Sequence, residues 1–180
     1  MTIKSENQIY KDLVQLVKDA LSYYSITDWQ VLQLKQPVKL TEIRSAIYIT
    51  LTTRTRRGWQ YRNYPFEDNV LKHKESFWQE VNVQISALKR RSTNDTTETI
   101  NSIDILEYIK TYILNIDAIK DLRKSGYTIY QPSEILNPDF FDDSDNFEFM
   151  PFFSVTLIIN QSLICPQASI DGYTYKIERV

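Results

Sequence analysis

Phe77-Trp78-Gln79-Glu80-Val81-Asn82-Val83-Gln84-Ile85-Ser86-Ala87 decides the fold. Phe77, Gln79, Val81, Val83, Ile85 and Ala87 share one parity; Trp78, Glu80, Asn82, Gln84 and Ser86 share the other. Sustained alternation of this kind is the period-two signature of a strand with one packed and one wetter face. Lys89-Arg90-Arg91-Ser92 ends it. Upstream, Ser45-Ala46-Ile47-Tyr48-Ile49-Thr50-Leu51-Thr52-Thr53 alternates in the same way. It runs without a turn signal into Arg54-Thr55-Arg56-Arg57-Gly58-Trp59-Gln60-Tyr61-Arg62. That second half keeps strand-forming residues but is too charged for a core, so the strand outgrows its sheet. Pro65, Asp68 and Asn69 mark a loop at the tip, continued by Lys72-His73-Lys74-Glu75.

Outside this pair the pattern switches to helical spacing. Ile9, Leu13, Leu16, Val17, Ala20 and Leu21 form an apolar stripe. Ser5 and Gln8 stand at capping-box positions ahead of it. Trp29 to Leu34 reads as a strand, and Pro37 as an edge or break. Residues 92–99 are a polar loop. A second helix begins near Asn101 or Ser102 with the stripe Ile105, Leu106, Ile109, Tyr112 and Ile113. A short third, Ile116–Lys124, is closed by Ser125-Gly126, with Lys124 placed to suit the helix dipole. Tyr127-Thr128-Ile129-Tyr130 is a strand stopped by Pro132. Residues 133–148 read as irregular and acidic. A further strand covers about 149–159, and a last one 172–178. The expected fold is therefore α+β: an antiparallel or mixed sheet, an N-terminal helix and a second helix on one face, and an extended β-hairpin arm. One domain is expected over 1–180, with the arm at about 54–75, the acidic loop at 133–148 and a C-terminal extension at about 163–180.

Composition excludes more than it identifies. The chain has 180 residues and a net charge of -2, so nothing overall points to nucleic acid or a membrane surface. Three glycines argue against a Gly-rich phosphate loop. No apolar run is long enough for a membrane span and no signal peptide is evident, so a reducing cytoplasm is expected. Cys165 and His73 are each alone, so neither a disulfide nor a Cys/His zinc site is possible within the chain. They would suit a Cys–His nucleophile pair, but a buried thiol and an exposed loop histidine is the simpler expectation. No catalytic, cofactor or metal residues are assigned, since no hydrolase, zincin, P-loop or dinucleotide motif occurs.

Two charged segments remain. Arg54, Arg56, Arg57, Trp59 and Tyr61 combine cations and aromatics on one strand. Such a set serves protein interfaces, or single-stranded nucleic acid, or is a solvated arm paired locally. Period two sets Arg54, Arg56 and Gly58 on one face and Thr55, Arg57 and Trp59 on the other. Asp139, Asp142, Asp143, Asp145 and Glu148 lie in a stretch without Lys or Arg between Gln131 and Ser154. It lacks the Gly and distal Glu of an EF-hand. It is either a solvated loop or the complement of the arm in a head-to-tail ring of identical subunits. Glu75-Ser76-Phe77-Trp78-Gln79 with Trp29 reads as aromatic cross-strand packing.

The element order, with Trp78-Gln79-Glu80-Val81-Asn82-Val83, the helix at 103–114 and the segment 127–159, resembles phage tail terminators, more specifically the neck terminators. The likeness covers about 5–162 and rests on Phe149-Met150-Pro151-Phe152-Phe153-Ser154-Val155-Thr156-Leu157 after the Asp-rich stretch. The long arm and the tail from Gln161 depart from the pattern. The resemblance implies a structural virion protein of the tail or neck, without catalysis or cofactor, assembled in the host cytoplasm. It implies a ring, commonly a hexamer, whose partners are itself, the tail-tube protein and a head-completion or neck protein. DNA would pass non-specifically through its lumen, and no membrane is involved. The alternative is a nucleic-acid-binding α+β module using the same arm.

Overall fold

The structure is a computed structural model that describes residues 4–33, 45–67, 70–89, 100–141 and 147–166. Helix α1 (Glu6–Tyr23) starts where the Ser5 hydroxyl accepts from the Gln8 N–H at 3.2 Å. The reciprocal half of the expected capping box gives way to another bond. The Gln8 side-chain amide turns forward and donates to Asp12 Oδ1 at 2.9 Å, a charge-assisted acceptor. The helix ends in a Schellman closure. The Ile26 N–H donates to Leu21 O at 2.9 Å and the Ser25 N–H to Ser22 O at 3.0 Å. Ser25 takes the left-handed position at φ 56° that glycine usually fills. Helices α2 (Ser102–Ile113) and α3 (Ile116–Lys124) are capped by Asn101 and Asn115. The Asn101 carboxamide accepts from the N–H groups of Ile103 and Asp104 at 2.9 and 2.8 Å, as a good N-cap does.

Among the described residues the strands are β1 (Gln30–Gln33), β2 (Ser45–Asn63), β3 (Phe66–Glu67), β4 (Val70–Lys89), β5 (Tyr127–Ile129), β6 (Asp139–Phe141), β7 (Phe147–Phe149) and β8 (Phe152–Pro166). The main sheet runs β1-β2-β4-β8-β5, with β3 beside β4. β1 is parallel to β2 and the other pairs are antiparallel, so the sheet is mixed. β6 and β7 form a separate pair. Ile47, Ile49, Val83, Ile85, Phe153 and Val155 bury one face against the apolar stripes of α1 and α2, with Ala118 and Leu122 of α3 closing the core. The opposite face at that level carries Thr50, Gln84 and Ser154, in line with one packed and one wet side.

The helices cover only half of the sheet. β2, β4 and β8 continue past them as a three-stranded ribbon, where Arg54–Asn63 of β2 faces residues 74–81 of β4, and residues 160–166 of β8 line the other edge. The arm is therefore a hairpin reinforced by a third strand. A one-residue bulge at Thr52 marks its root, since Leu51 pairs with Val83 but Thr53 with Asn82. The bulge resets the parity of β2, so Arg54 and Arg56 take the side that Ile47, Ile49 and Leu51 occupied. Asn82 pins the root from the other face. Its Nδ2 donates to Thr53 Oγ1 at 2.7 Å, and its Oδ1 accepts from Thr156 Oγ1 at 2.6 Å. A second irregularity sets Gly58, Trp59 and Gln60 opposite Phe77 alone, with Gly58 at φ 78°.

Several expected boundaries shift. Lys72-His73-Lys74-Glu75 is strand rather than loop, because β4 begins at Val70. β8 runs from Phe152 to Pro166 rather than over 149–159. Of the stretch 133–148, which was expected to be irregular, the described residues 133–141 and 147–148 include β6, part of β7 and a bridge from Leu136 to Phe152, and residues 142–146 lie outside the described residues. The break at Pro37, the loop at 92–99 and the last strand at 172–178 lie outside the described residues. No helix among the described residues is long and apolar enough to cross a membrane.

Candidate protein-interaction site on the strand arm

The structure brings four of the five arm residues onto two faces and gives each a distinct setting. On the helix side, Arg54 Nη2 donates to the Lys4 carbonyl at 2.9 Å, and the Arg56 guanidinium lies 4.1 Å from the centre of the Phe77 ring. That stack is a cation–π contact, which orients a guanidinium without neutralising it. On the opposite face Arg57 is ion-paired to Glu80, and Tyr61 is 64% exposed. Trp59 sits in β2 between Gly58 and Tyr61. Further out, Arg62 Nε lies 3.3 Å from Glu75 Oε1, which also holds His73 Nε2 at 3.0 Å. The Tyr64 ring meets the His73 ring edge-on at 4.9 Å. Asp142, Asp143 and Asp145 lie outside the described residues.

The aromatic cross-strand packing expected around Trp78 is not what these residues do. Trp29 is buried in the core at 5% exposure, whereas Trp78 stands 60% exposed on the outer face. Phe77 is the platform under Arg56. Arg57, Trp78, Glu80, Tyr130 and Ile158 line a shallow open groove on that outer face. Trp, Tyr and Arg together are the composition of contact hot spots. The lone histidine is also placed differently. His73 is half-buried in β4, not exposed in a loop, and the register sets it opposite Cys165 of β8.

A polar network at the arm's root escaped the sequence altogether. Asp12 accepts from Lys4 Nζ at 2.8 Å, Gln8 Nε2 at 2.9 Å and the Tyr127 hydroxyl at 2.6 Å. Lys4 Nζ lies 3.9 Å over the Tyr127 ring. The Lys4 N–H donates to Gln161 Oε1 at 3.0 Å, and Gln161 Nε2 donates to Gln79 Oε1 at 2.7 Å. The segment before α1 is thus tied to β5, β8 and, through Arg54, β2. Burial raises the Asp12 carboxyl, but the bonds from Lys4, Tyr127 and Gln8 and the Lys4 charge outweigh it, so its pKa lies below the ordinary value. Burial first, and the Asp12 bond and charge second, push the Tyr127 hydroxyl far up, so it stays a donor. A terminal lysine and a mid-helix aspartate give no such signal in one dimension.

The arrangement offers contact surfaces and no group of three or more His, Cys, Asp or Glu among the described residues that would hold a metal. The family described as E217 gateway protein gp29 matches the chain over residues 8–165. No curated relative matches it. Among solved structures, the sheath/tube terminator of the extracellular contractile injection system PVC, seen by cryo-EM in its extended state, superimposes with a TM-score of 0.52 at 11% identity. The alignment covers 100% of this chain and 65% of that one. At that identity the likeness is one of fold, and it agrees with the resemblance to phage tail and neck terminators.

Proposed function

The chain belongs to the family of the E217 gateway protein gp29, and from that premise we propose that it closes the end of a phage tail tube as a ring and joins the tail to the head or neck. The observation that carries the reading is the family match over 8–165 on a fold shared with a sheath/tube terminator. The arm adds support. A ribbon that extends beyond the helices, with Arg54, Arg56, Arg57, Trp59 and Tyr61 along it, is a surface built for contact. Asp142, Asp143 and Asp145 supply the opposite charge elsewhere in the chain. Self-association head to tail through these two surfaces closes a cycle, a hexamer in the form that the resemblance implies. The partners are other copies of the chain, the tube protein and a head-completion or neck protein, within the virion, with DNA passing the inner wall.

A nucleic-acid-binding module is the rival reading, favoured by the guanidiniums of Arg54 and Arg56. The net charge of -2 and the pairing of Arg57 to Glu80 weigh against it. Incubating the chain with growing tail tubes separates the two. Capped, length-arrested tubes support the terminator role; unchanged tubes together with salt-dependent binding to DNA or RNA support the rival.

A further inference from the structure

The four arginines of the arm are not equivalent. Arg57 is paired to Glu80 and Arg62 to Glu75, within the same chain. Arg54 and Arg56 are exposed on the helix-side face and have no carboxylate partner among the described residues. The Lys4 carbonyl and the Phe77 ring hold their guanidiniums in place and leave the charge unmatched. At the far end of α1 lies a surface of the opposite kind. The Tyr23 ring meets Tyr24 edge-on at 5.0 Å and Tyr112 at 5.5 Å, and Tyr24 meets Tyr108 at 4.8 Å. Tyr108 and Tyr112 stand one turn apart on α2. Tyr23 and Tyr108 are exposed, so the four rings gather at the surface and not in the core. Burial first, and then the charges of Asp19, Asp121, Tyr23 and Asp117, raise the Tyr112 hydroxyl above its ordinary value. Three carboxylates therefore rim the rings. Asp117 and Asp121 make only exposed pairs with Lys120 and Lys124, which hold them weakly. Asp19 accepts from the Gln15 amide at 2.7 Å and has no cationic partner among the described residues.

Resting on the ring reading above, we propose that this tyrosine cluster receives Arg54 and Arg56 from the arm of a second copy, the guanidiniums lying on the rings and pairing with Asp19, Asp117 and Asp121. Chemistry selects the occupant. Ring faces attract a guanidinium, and carboxylates at their rim pair with it, whereas the same rim repels phosphate. Arginine suits both partners at once, being planar and always charged. Geometry makes the donor a second copy. Arg54 is bonded to Lys4, just before α1, whereas Tyr23 is the last residue of α1. The helix has 18 residues, so about 26 Å separates its two ends. An arm anchored at the start of α1 does not reach the cluster at the end of the same helix. Complementary surfaces at opposite ends of one molecule pair between copies, head to tail, and that is the contact a ring requires.

The test is a charge exchange read by native mass spectrometry and by electron microscopy on tube ends. Arg54→Glu with Arg56→Glu makes both surfaces acidic; Asp19→Lys with Asp117→Lys and Asp121→Lys makes both basic. Each variant alone should lose association by about tenfold or more, because like charges then face each other. Mixed in equal amounts they should reassemble with strictly alternating subunits, since each arm then meets an opposite charge. Unlike a defect in folding, this loss is reversed by the complementary variant. Tyr23→Ala should weaken association by roughly fivefold, and Tyr23→Phe, which keeps the ring face, should restore it. Wild-type rings with no rescue in the mixture overturn this assignment and leave the ring reading standing. Rings that survive the Asp19, Asp117 and Asp121 changes but are lost on Asp142→Asn with Asp143→Asn and Asp145→Asn do the same. A wild-type chain that stays monomeric even on tube ends overturns both. Loss of salt-dependent DNA or RNA binding in the Arg54 and Arg56 variant, with its rings intact, assigns the guanidiniums to phosphate and also overturns it.

Discussion

Replacing Asp12 by alanine should destabilise the protein by more than any other single surface-proximal change. The side chain is 24% exposed and accepts from three donors on two different elements and the N-terminal segment. Its removal leaves the hydroxyl of Tyr127, a residue only 2% exposed, without its partner. A hydrogen bond to a charged group is worth roughly 1.5–3 kcal/mol, and an orphaned buried hydroxyl costs a comparable amount. The partly exposed Lys4 ion pair adds at most about 1 kcal/mol. The expected loss is about 2–4 kcal/mol, or a fall in Tm of roughly 5–12 °C for a domain of this size. Tyr127→Phe, which removes the donor but leaves no orphaned hydroxyl and leaves Asp12 with Lys4 and Gln8, should cost less, about 1.5 kcal/mol. The sign of the pH dependence follows from the direction of the shift. A carboxyl held below its unfolded value contributes stability that is present above the unfolded pKa of about 3.9 and is lost as pH falls through the lower folded value. The gap between wild type and Asp12→Ala should therefore be constant from neutral pH down to about pH 5 and close in stronger acid. Urea titrations across that range measure it. A gap below about 0.5 kcal/mol at neutral pH, or one that persists unchanged in acid, would refute the assignment of the network.

Three other outcomes follow from particular residues. Ser25→Gly should raise stability by about 0.5–1 kcal/mol in thermal melts, because glycine fits φ 56° without a Cβ penalty. Asn82→Ala removes the bonds that join β2 and β8 at the arm's root. It should cost about 1–2 kcal/mol and speed amide exchange in residues 53–57 before the core strands respond. Trp29→Phe deletes the indole N–H, the buried side-chain donor without a partner among the described residues. It should be far milder than a polar deletion that breaks a bond, within about 1 kcal/mol in chemical denaturation.

The parts of the fold that face the core were legible, because burial writes a period into the sequence. The α1 stripe through Ile9, Leu13 and Leu16 and the β4 series Val81, Val83, Ile85 are examples. The arm was legible only as a charged continuation of β2. Its third strand was not, because Asn160, Gln161 and Ser162 interrupt the apolar alternation, and a ribbon beyond the helices needs no apolar face. Lys72-His73-Lys74-Glu75 looked like a loop for the same reason. The bulge at Thr52 depends on register, as does the placing of Glu80 beside Arg57, so the arm read as more basic than it is. Two of its arginines are answered at home, and charge summed along the segment does not distinguish them from the rest. The parity of Arg54 and Arg56 was readable, but which side they would take was not, because one inserted residue decides it.

Electron microscopy of tail tubes polymerised in the presence of the purified chain tests the terminator role most directly. The expected result is tubes of arrested length, each ending in a single closed ring of this chain. Tubes that grow to the same length with bare ends, at concentrations where the chain is folded and in excess, would contradict it.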